Sequence, residues 1–309
     1  MSPAATPVEV TVEGRQLKLS NIDKILYPAS GFTKGQVIDY YTRIAPVLLT
    51  HLRRRALTLK RYPNGVDGQF FYEKNCPSHR PPWVDTVAVW SGRNKADVNY
   101  CLANDLSTLV WVANLASLEL HTSLAHADDV GRPTMVVFDL DPGAPAAMVE
   151  CARVGLAVRE VLDQLGLASW AKTSGSKGLQ VYAPLNTPVT YDQTKRFAHA
   201  LARMLEARIP DLVVSQMAKE LRKAKVLIDW SQNDAVKTTV CVYSLRARDR
   251  PTVSTPLTWD EVERVASTGD AGGVVFEADA VLARVAEHGD LFAPVAELEQ
   301  SLPSAPGTA

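Results

Sequence analysis

Residues 135–143 read MVVFDLDPG. Four apolar residues, Met135 to Phe138, suit a buried strand better than one face of a helix, and Pro142-Gly143 forces a turn directly after it. Side chains alternate along a strand, so Asp139 and Asp141 lie on the same side, roughly 7 Å apart at Cα. Two like charges at the mouth of a core repel unless something neutralises them, and a divalent cation does that well. Taken alone, the stretch is either a metal site or an ordinary strand exit into a Pro-Gly turn.

The surrounding chain is 309 residues long, 46% hydrophobic and 22% charged, an ordinary composition for one large core or two subdomains. No stretch approaches the roughly 20 apolar residues needed to span a bilayer. The start, MSPAATPVEV, has neither a basic beginning nor an apolar signal core. The expectation is a cytoplasmic protein with no membrane partner. Four cysteines, Cys76, Cys101, Cys151 and Cys241, lie far apart with no CxxC pairing, which fits a reducing compartment. Cys76-Pro-Ser-His79 offers half of a zinc site with no second pair nearby, so it reads as a loop with a buried thiol. Net charge is −1, but residues 251–309 hold ten acidic and two basic residues, which leaves residues 1–250 at +7. That excess is clustered at 53–55, 60–61, 219–225 and at Arg246, Arg248 and Arg250, and favours a polyanionic partner.

Residues 8–19 alternate like a strand, and SNIDKILYP reads as a capped helical turn stopped by Pro28. Thr33 is a candidate N-cap for a helix to Leu52. ALTLKRYP and QFFYEKN read as strands around NGVDG, and residues 104–120 as a helix that delivers His121. After the aspartates come a helix over about 145–165 closed by Gly166, the strand SWAKT, the loop SGSKG, the strand LQVYAPL and a helix over 191–207. KVLIDW and TTVCVYSLR read as further strands, 259–300 as an acidic helical region, and 301–309 as a disordered tail. Residues 1–300 are read as one domain, with parts at about 1–125, 126–250 and 251–300.

Three features after the first motif suggest a mechanism. In TSGSKGL, small residues let backbone N–H groups approach an anion, and Lys177 adds a cation. VLIDWSQN is a second apolar strand ending in an acid, Asp229, and three carboxylates match the hard-oxygen ligation of magnesium or manganese. Arg222, Lys225, Lys237 and Arg246 then suit the charge of a triphosphate. No single piece is specific. The combination describes nucleotidyl transfer.

The blocks NIDKILYP, LKRYPNGVDGQFFYEKN, LELH, VVFDLDPG, TSGSKGL, VLIDWSQN, KTT and YSLR together resemble the polymerase domain of bacterial DNA ligase D, within the archaeo-eukaryotic primase superfamily. The resemblance covers nearly all of residues 15–250. It implies an α/β (α+β) fold, a primase-like catalytic core of two interlocked β-sheet lobes flanked by helices. It implies a template-directed polymerase for DNA gaps and ends carrying a 5′-phosphate, using NTPs or dNTPs, often preferring ribonucleotides and manganese. On this pattern Asp139, Asp141 and Asp229 hold two Mn2+ or Mg2+ ions. Ser174, Lys177, Gln180, Arg222, Gln232 and Arg246 bind the incoming nucleotide, with His121 near its sugar. Lys24 and Lys34 grip a 5′-phosphate, and Phe70 and Phe71 stack on template DNA beside Lys60 and Arg61. Without the resemblance, Phe70-Phe71 reads as core and the two lysines as unremarkable surface.

Two departures stand out. The resembled loop usually reads SGSKGLH, whereas Gln180 here replaces the histidine, which predicts an altered triphosphate or metal environment. No ligase motif follows, so repair is expected to need a separately encoded DNA ligase and end-binding proteins, with the protein at the nucleoid during repair. Tyr72 extends the aromatic pair. Two alternatives remain: a haloacid dehalogenase-type phosphohydrolase, whose aspartate pair is normally followed by Gly-Thr, and a DNA-end binding module with a decayed polymerase site.

Overall fold

The computed structural model describes residues 7–92 and 94–303. The chain opens on an antiparallel hairpin of β1 (Val8–Val12) and β2 (Arg15–Leu19). Glu13 and Gly14 between them take φ of 49° and 77°, the backbone of a two-residue mirror-image turn, so the expected single strand is two. β3 (Ile25–Tyr27) and β4 (Phe32–Thr33) pair next. The helical turn expected at SNIDKILYP is therefore extended at its end, as a residue before proline prefers. α1 (Lys34–Leu52) begins where the sequence indicates: Gln36 N donates to Thr33 Oγ1, and Thr33 N donates to Gln36 Oε1.

β5 (Leu57–Arg61), β6 (Phe71–Glu73), β7 (Thr86–Ser91), β8 (Ala96–Cys101), α2 (Leu106–Asn114) and β9 (Ser117–Thr122) follow. The helix expected to reach residue 120 ends at Asn114. Ala116 takes φ of 56°, which breaks the helix, and β9 rather than a helix carries His121. Then come β10 (Met135–Pro142), α3 (Met148–Gln164), β11 (Trp170–Thr173), β12 (Leu179–Pro184), α4 (Tyr191–Arg208), β13 (Val213–Val214) and β14 (Val226–Asp229). β15 (Thr239–Val240) is shorter than the strand read over TTVCVYSLR, because Tyr243 takes φ of 63° and turns the chain. β16 (Pro256–Leu257), α5 (Trp259–Thr268), α6 (Ala278–His288) and α7 (Ala293–Glu297) complete the described chain. Residues 304–309 of the expected tail lie outside the described residues.

The elements sort into two units, between which the chain passes repeatedly. The first comprises residues up to Ser123, Thr238–Ser254 and Phe276–Asp290. Its main sheet runs β15-β9-β5-β8-β7, with β6 also paired to β5. The second comprises Leu124–Lys237, Thr255–Val275 and the chain from Leu291 onward. Its sheet runs β13-β14-β10-β12-β11-β16, with β13 and β14 parallel and the other pairs antiparallel. On β10, Phe138 meets Phe197 of α4, and Cys151 of α3 donates to the Leu140 carbonyl. Phe138 and Leu140 thus face the helices, and alternation turns Asp139 and Asp141 to the other face. Among the described residues no helix is long and apolar enough to cross a membrane.

One expectation is corrected by the first unit. Cys76 and Cys101 form a disulfide, with Cα atoms 5.0 Å apart, while Cys151 and Cys241 are buried thiols outside any disulfide. Cys76 N donates to Asn99 O, so its loop lies along β8 and brings together two cysteines 25 positions apart. The bond also takes the thiol out of the Cys76/His79 pair. Thiol titration of the denatured, unreduced chain should count two free thiols, rising to four after reduction; four before reduction would contradict the bond. Reduction should cost about 3 kcal/mol of stability, read from urea unfolding.

Candidate active site

Strand register in the second unit builds a row of polar side chains across one sheet face. Asp229 lies directly opposite Asp139, Asp139 opposite Gln180, and Gln180 opposite Lys172. Gln180 Nε2 donates to Asp139 Oδ1 at 3.0 Å, and Lys172 Nζ donates to Gln180 Oε1 at 2.5 Å. Asp229 is held by its own loop: Ser231 donates to Oδ1 through both N and Oγ, and Gln232 Nε2 donates to Oδ2 at 2.9 Å. Lys237 Nζ in turn donates to Ser231 Oγ. Asn233, which sequence reasoning passed over, pins this loop to β10. Its amide exchanges two hydrogen bonds with the Val137 backbone, in effect adding one strand residue. The only signal for it was its place in WSQN.

The two turns beside the aspartates need glycine for close approach. A Cβ on Gly143 would fall 1.9 Å from Arg222 O, so the Pro-Gly exit lies against the loop that carries Arg222. A Cβ on Gly178 would fall 2.3 Å from the carbonyl of Leu140, the residue between the aspartates. The SGSKG loop is thereby pressed onto β10. Its amides differ from expectation: Ser176 N and Gly178 N both donate to Ser174 Oγ and close the loop on itself. Lys177 is exposed at the tip. Arg222 donates to Met217 O, while its buried Nε finds no partner among the described residues.

Burial and then the neighbouring Asp141 charge push the Asp139 carboxyl up to about 7. Asp229 adds to the rise, and the Gln180 hydrogen bond and Lys172 oppose it. As they stand, no three His, Cys, Asp or Glu groups among the described residues are gathered to hold a metal ion, Asp229 being turned to Ser231 and Gln232. The donor chemistry nevertheless fits one. The three groups are hard carboxylate oxygens, and their mutual repulsion is what a divalent cation relieves.

In the first unit a buried carboxylate, Glu119, organises the expected residues. Its oxygens meet His121 Nε2 at 2.9 Å, Lys60 Nζ at 3.1 Å and Arg246 Nε at 3.3 Å, and accept from Ala247 N at 3.2 Å. Burial would raise the Glu119 carboxyl, but the His121 hydrogen bond and the Arg246 and Lys60 charges outweigh it and hold it well below the usual carboxylate range. Burial lowers the His121 imidazole, so the neutral ring donates Nε2–H to Glu119 and keeps Nδ1 as an acceptor. Glu119 is the Glu of LELH, but its role as a hub needed the strand pairing of β5 with β9 to become visible.

The aromatic stretch is exposed, contrary to its reading from local sequence: Phe70 is 50%, Phe71 43% and Tyr72 56% accessible. Lys60 Nζ lies 4.5 Å from the Phe70 ring centroid and Arg61 lies 5.0 Å from that of Phe71. Both cations are also tied within the fold, Lys60 to Glu119 and Arg61 to Glu73 at 2.7 Å. Lys24 Nζ donates to Asn64 Oδ1, and Lys34 Nζ donates to Ser20 O at 2.6 Å. Burial, with the Lys24 and Arg61 charges, lowers the Lys34 ammonium to about 8.

A mostly antiparallel sheet with two acids at the end of one strand is the architecture that the sequence resemblance to a primase-polymerase implies, and comparison with known proteins agrees. The model of the LigD primase-polymerase domain matches residues 33–292. The chain is 42% identical over 282 residues to the multifunctional non-homologous end joining protein LigD of Mycolicibacterium smegmatis, covering 91% of this chain and 36% of that protein. It is 30% identical over 278 residues to the bifunctional non-homologous end joining protein LigD of Bacillus subtilis, covering 90% of this chain and 44% of that protein. The chain thus spans less than half the length of either relative. Among solved structures it matches the polymerase domain of Mycobacterium tuberculosis ligase D in complex with DNA, with a TM-score of 0.84 and 39% identity, over 92% of this chain and 99% of that one. The chain belongs to the LigD primase-polymerase domain family. The haloacid dehalogenase alternative falls with that assignment.

Without a cation, a carboxyl raised to about 7 from its ordinary 3.8 binds a proton that the unfolded chain has released. Thermal stability should therefore fall as pH rises from about 4 to about 7, and Asp139→Asn should flatten the decline. Manganese should raise the melting temperature of the wild type more at pH 8 than at pH 5, and that of Asp139→Asn little at either.

Proposed function

We propose that the chain is a template-directed nucleotidyltransferase that fills gaps or extends ends in DNA during break repair. The observation that carries this reading is the Asp139 carboxyl, pushed up to about 7 on a face where Asp229 stands directly across the strand pair. That arrangement is unfavourable in the bare protein and favourable around a divalent cation. Asp139, Asp141 and Asp229 are the ligands, for two Mn2+ or Mg2+ ions in the active complex. When bound, such ions lower the pKa of a primer 3′-hydroxyl and neutralise the triphosphate.

The chain's own residues bind and orient. Arg222, whose Nε has no partner among the described residues, and the exposed Lys177 suit phosphate oxygens, and Ser174 shapes the loop between them and β10. Gln232 and Gln180 hold Asp229 and Asp139 in place. In the first unit, the free Nδ1 acceptor of His121 suits a sugar hydroxyl, which supports ribonucleotide preference, and Arg246 is a further nucleotide contact steadied by Glu119. Exposed Phe70 and Phe71 suit sequence-tolerant stacking on template bases, with Lys60 and Arg61 stiffening them from within. Lys24 and Lys34 suit a 5′-phosphate. The solved relative in complex with DNA supports a DNA partner, and action on chromosomal breaks would put the protein at the nucleoid.

Primer extension on a gapped duplex with manganese and NTPs tests this reading. The wild type should add the templated nucleotide, and the double variant Asp139→Ala, Asp141→Ala should lose about a hundredfold or more in rate. Duplex binding without extension by the wild type would favour the end-binding module instead. Lys34, lowered to about 8, loses its charge across that pH, so preference for a 5′-phosphorylated gap should fall between pH 7 and pH 9. In Lys34→Ala that preference should be weak and flat with pH.

A further inference from the structure

Lys172 is a lysine buried in a sheet interior, 1% accessible, that no role above employs. It sits on β11 in the polar row, two strands from Asp139, with its ammonium 5.4 Å from the Tyr182 ring centroid. Its Nζ donates to Gln180 Oε1 at 2.5 Å, and the Tyr182 hydroxyl reaches the same oxygen at 3.4 Å. On its other side Gln180 donates from Nε2 to Asp139 Oδ1.

A glutamine amide can present either end to a neighbour. Here one end faces two donors and the other a carboxylate. Flipped, the amide would set Nε2 against the Lys172 ammonium and Oε1 against the Asp139 carboxylate, placing donor on donor and acceptor on acceptor. A cation buried beside Oε1 makes the flip costly, since unpaired polar groups lose their solvation. We infer that Lys172 is a positioning residue for the aspartate pair, acting through Gln180: it fixes the amide so that one Asp139 oxygen is always held and the carboxylate cannot swing.

Asp139 Oδ2 is then the oxygen not engaged by Gln180, presented in one orientation, as a preformed ligand requires. This inference rests on the reading of Asp139 and Asp141 as cation ligands, but the relay itself can be measured without a cation. Gln180 also gains a reason: its donor cannot be lost to deprotonation, so the Asp139 contact persists across the working pH range.

Two readouts on the full chain test the relay. The first is the side-chain amide resonance of Gln180 in metal-free, glutamine-labelled protein, assigned by its loss in Gln180→Leu. It should shift in Lys172→Met, stay near the wild-type position in Lys172→Arg, and shift less in Tyr182→Phe, which remains informative if Lys172→Met fails to fold. An unmoved resonance in Lys172→Met, or in Tyr182→Phe with Lys172→Met unfolded, overturns the inference. The second is Mn2+ affinity by calorimetry, without DNA or nucleotide. Lys172→Met should weaken it about tenfold, as should Gln180→Leu, and the double variant should be no worse than either. Additive losses would mean that Lys172 acts independently of Gln180 and would overturn the inference. A wild type that binds no Mn2+ while the resonance moves as expected would instead refute the cation reading and leave the relay standing.

Discussion

Repulsion among carboxylates fixed on one sheet face is the constraint on which the second unit depends. Antiparallel register sets Asp229 across from Asp139, and alternation sets Asp141 beside it, while Phe138 and Leu140 are committed to the helix side. The strand cannot rotate the acids away without exposing its apolar face, because a one-residue slip exchanges the two faces. The protein therefore keeps the charges and surrounds them with donors. Gln180 and Lys172 serve Asp139; Ser231, Gln232 and, behind them, Lys237 serve Asp229.

The first unit uses the same physics with the opposite balance. One buried carboxylate, Glu119, faces two cations, Lys60 and Arg246, and the His121 N–H donor, so it stays ionised and holds its partners in place. Lys60 is both the ion-pair partner of Glu119 and the cation beside the exposed Phe70 ring, so the residues proposed to contact the nucleotide and the template share one electrostatic anchor in this unit. The disulfide from Cys76 to Cys101 ties the loop that follows the aromatic strand to β8.

Much of this was legible in the sequence because it is local. The alternation of MVVFDLDPG put two acids on one face, VLIDWSQN repeated the pattern, and Thr33 marked a helix start. What was not legible depends on partners distant in sequence. Lys172 in SWAKT looks like any strand lysine until Gln180 is placed opposite it. Phe70 and Phe71 look like core until β6 is found with its aromatic rings exposed. The helix assigned to 104–120 overran because its last residues, apolar enough to continue the period, are drawn into strand β9 by pairing with β5. The SGSKG loop illustrates the limit from the other side: its small residues were read as freeing amides for an anion, yet Ser174 takes two of them, and the glycine at 178 is explained by the Leu140 carbonyl.

The central claim is that the strand-end acids exist to hold divalent cations against a nucleoside triphosphate. Anomalous diffraction at the manganese edge, from crystals soaked with Mn2+ and a non-hydrolysable nucleoside triphosphate, tests it most directly. The account predicts peaks at oxygen-ligand distances, on the order of 2 Å, from Asp139 and Asp141, with Asp229 turned from Ser231 and Gln232 to join them. Full nucleotide occupancy with no anomalous peak at these three residues would contradict it.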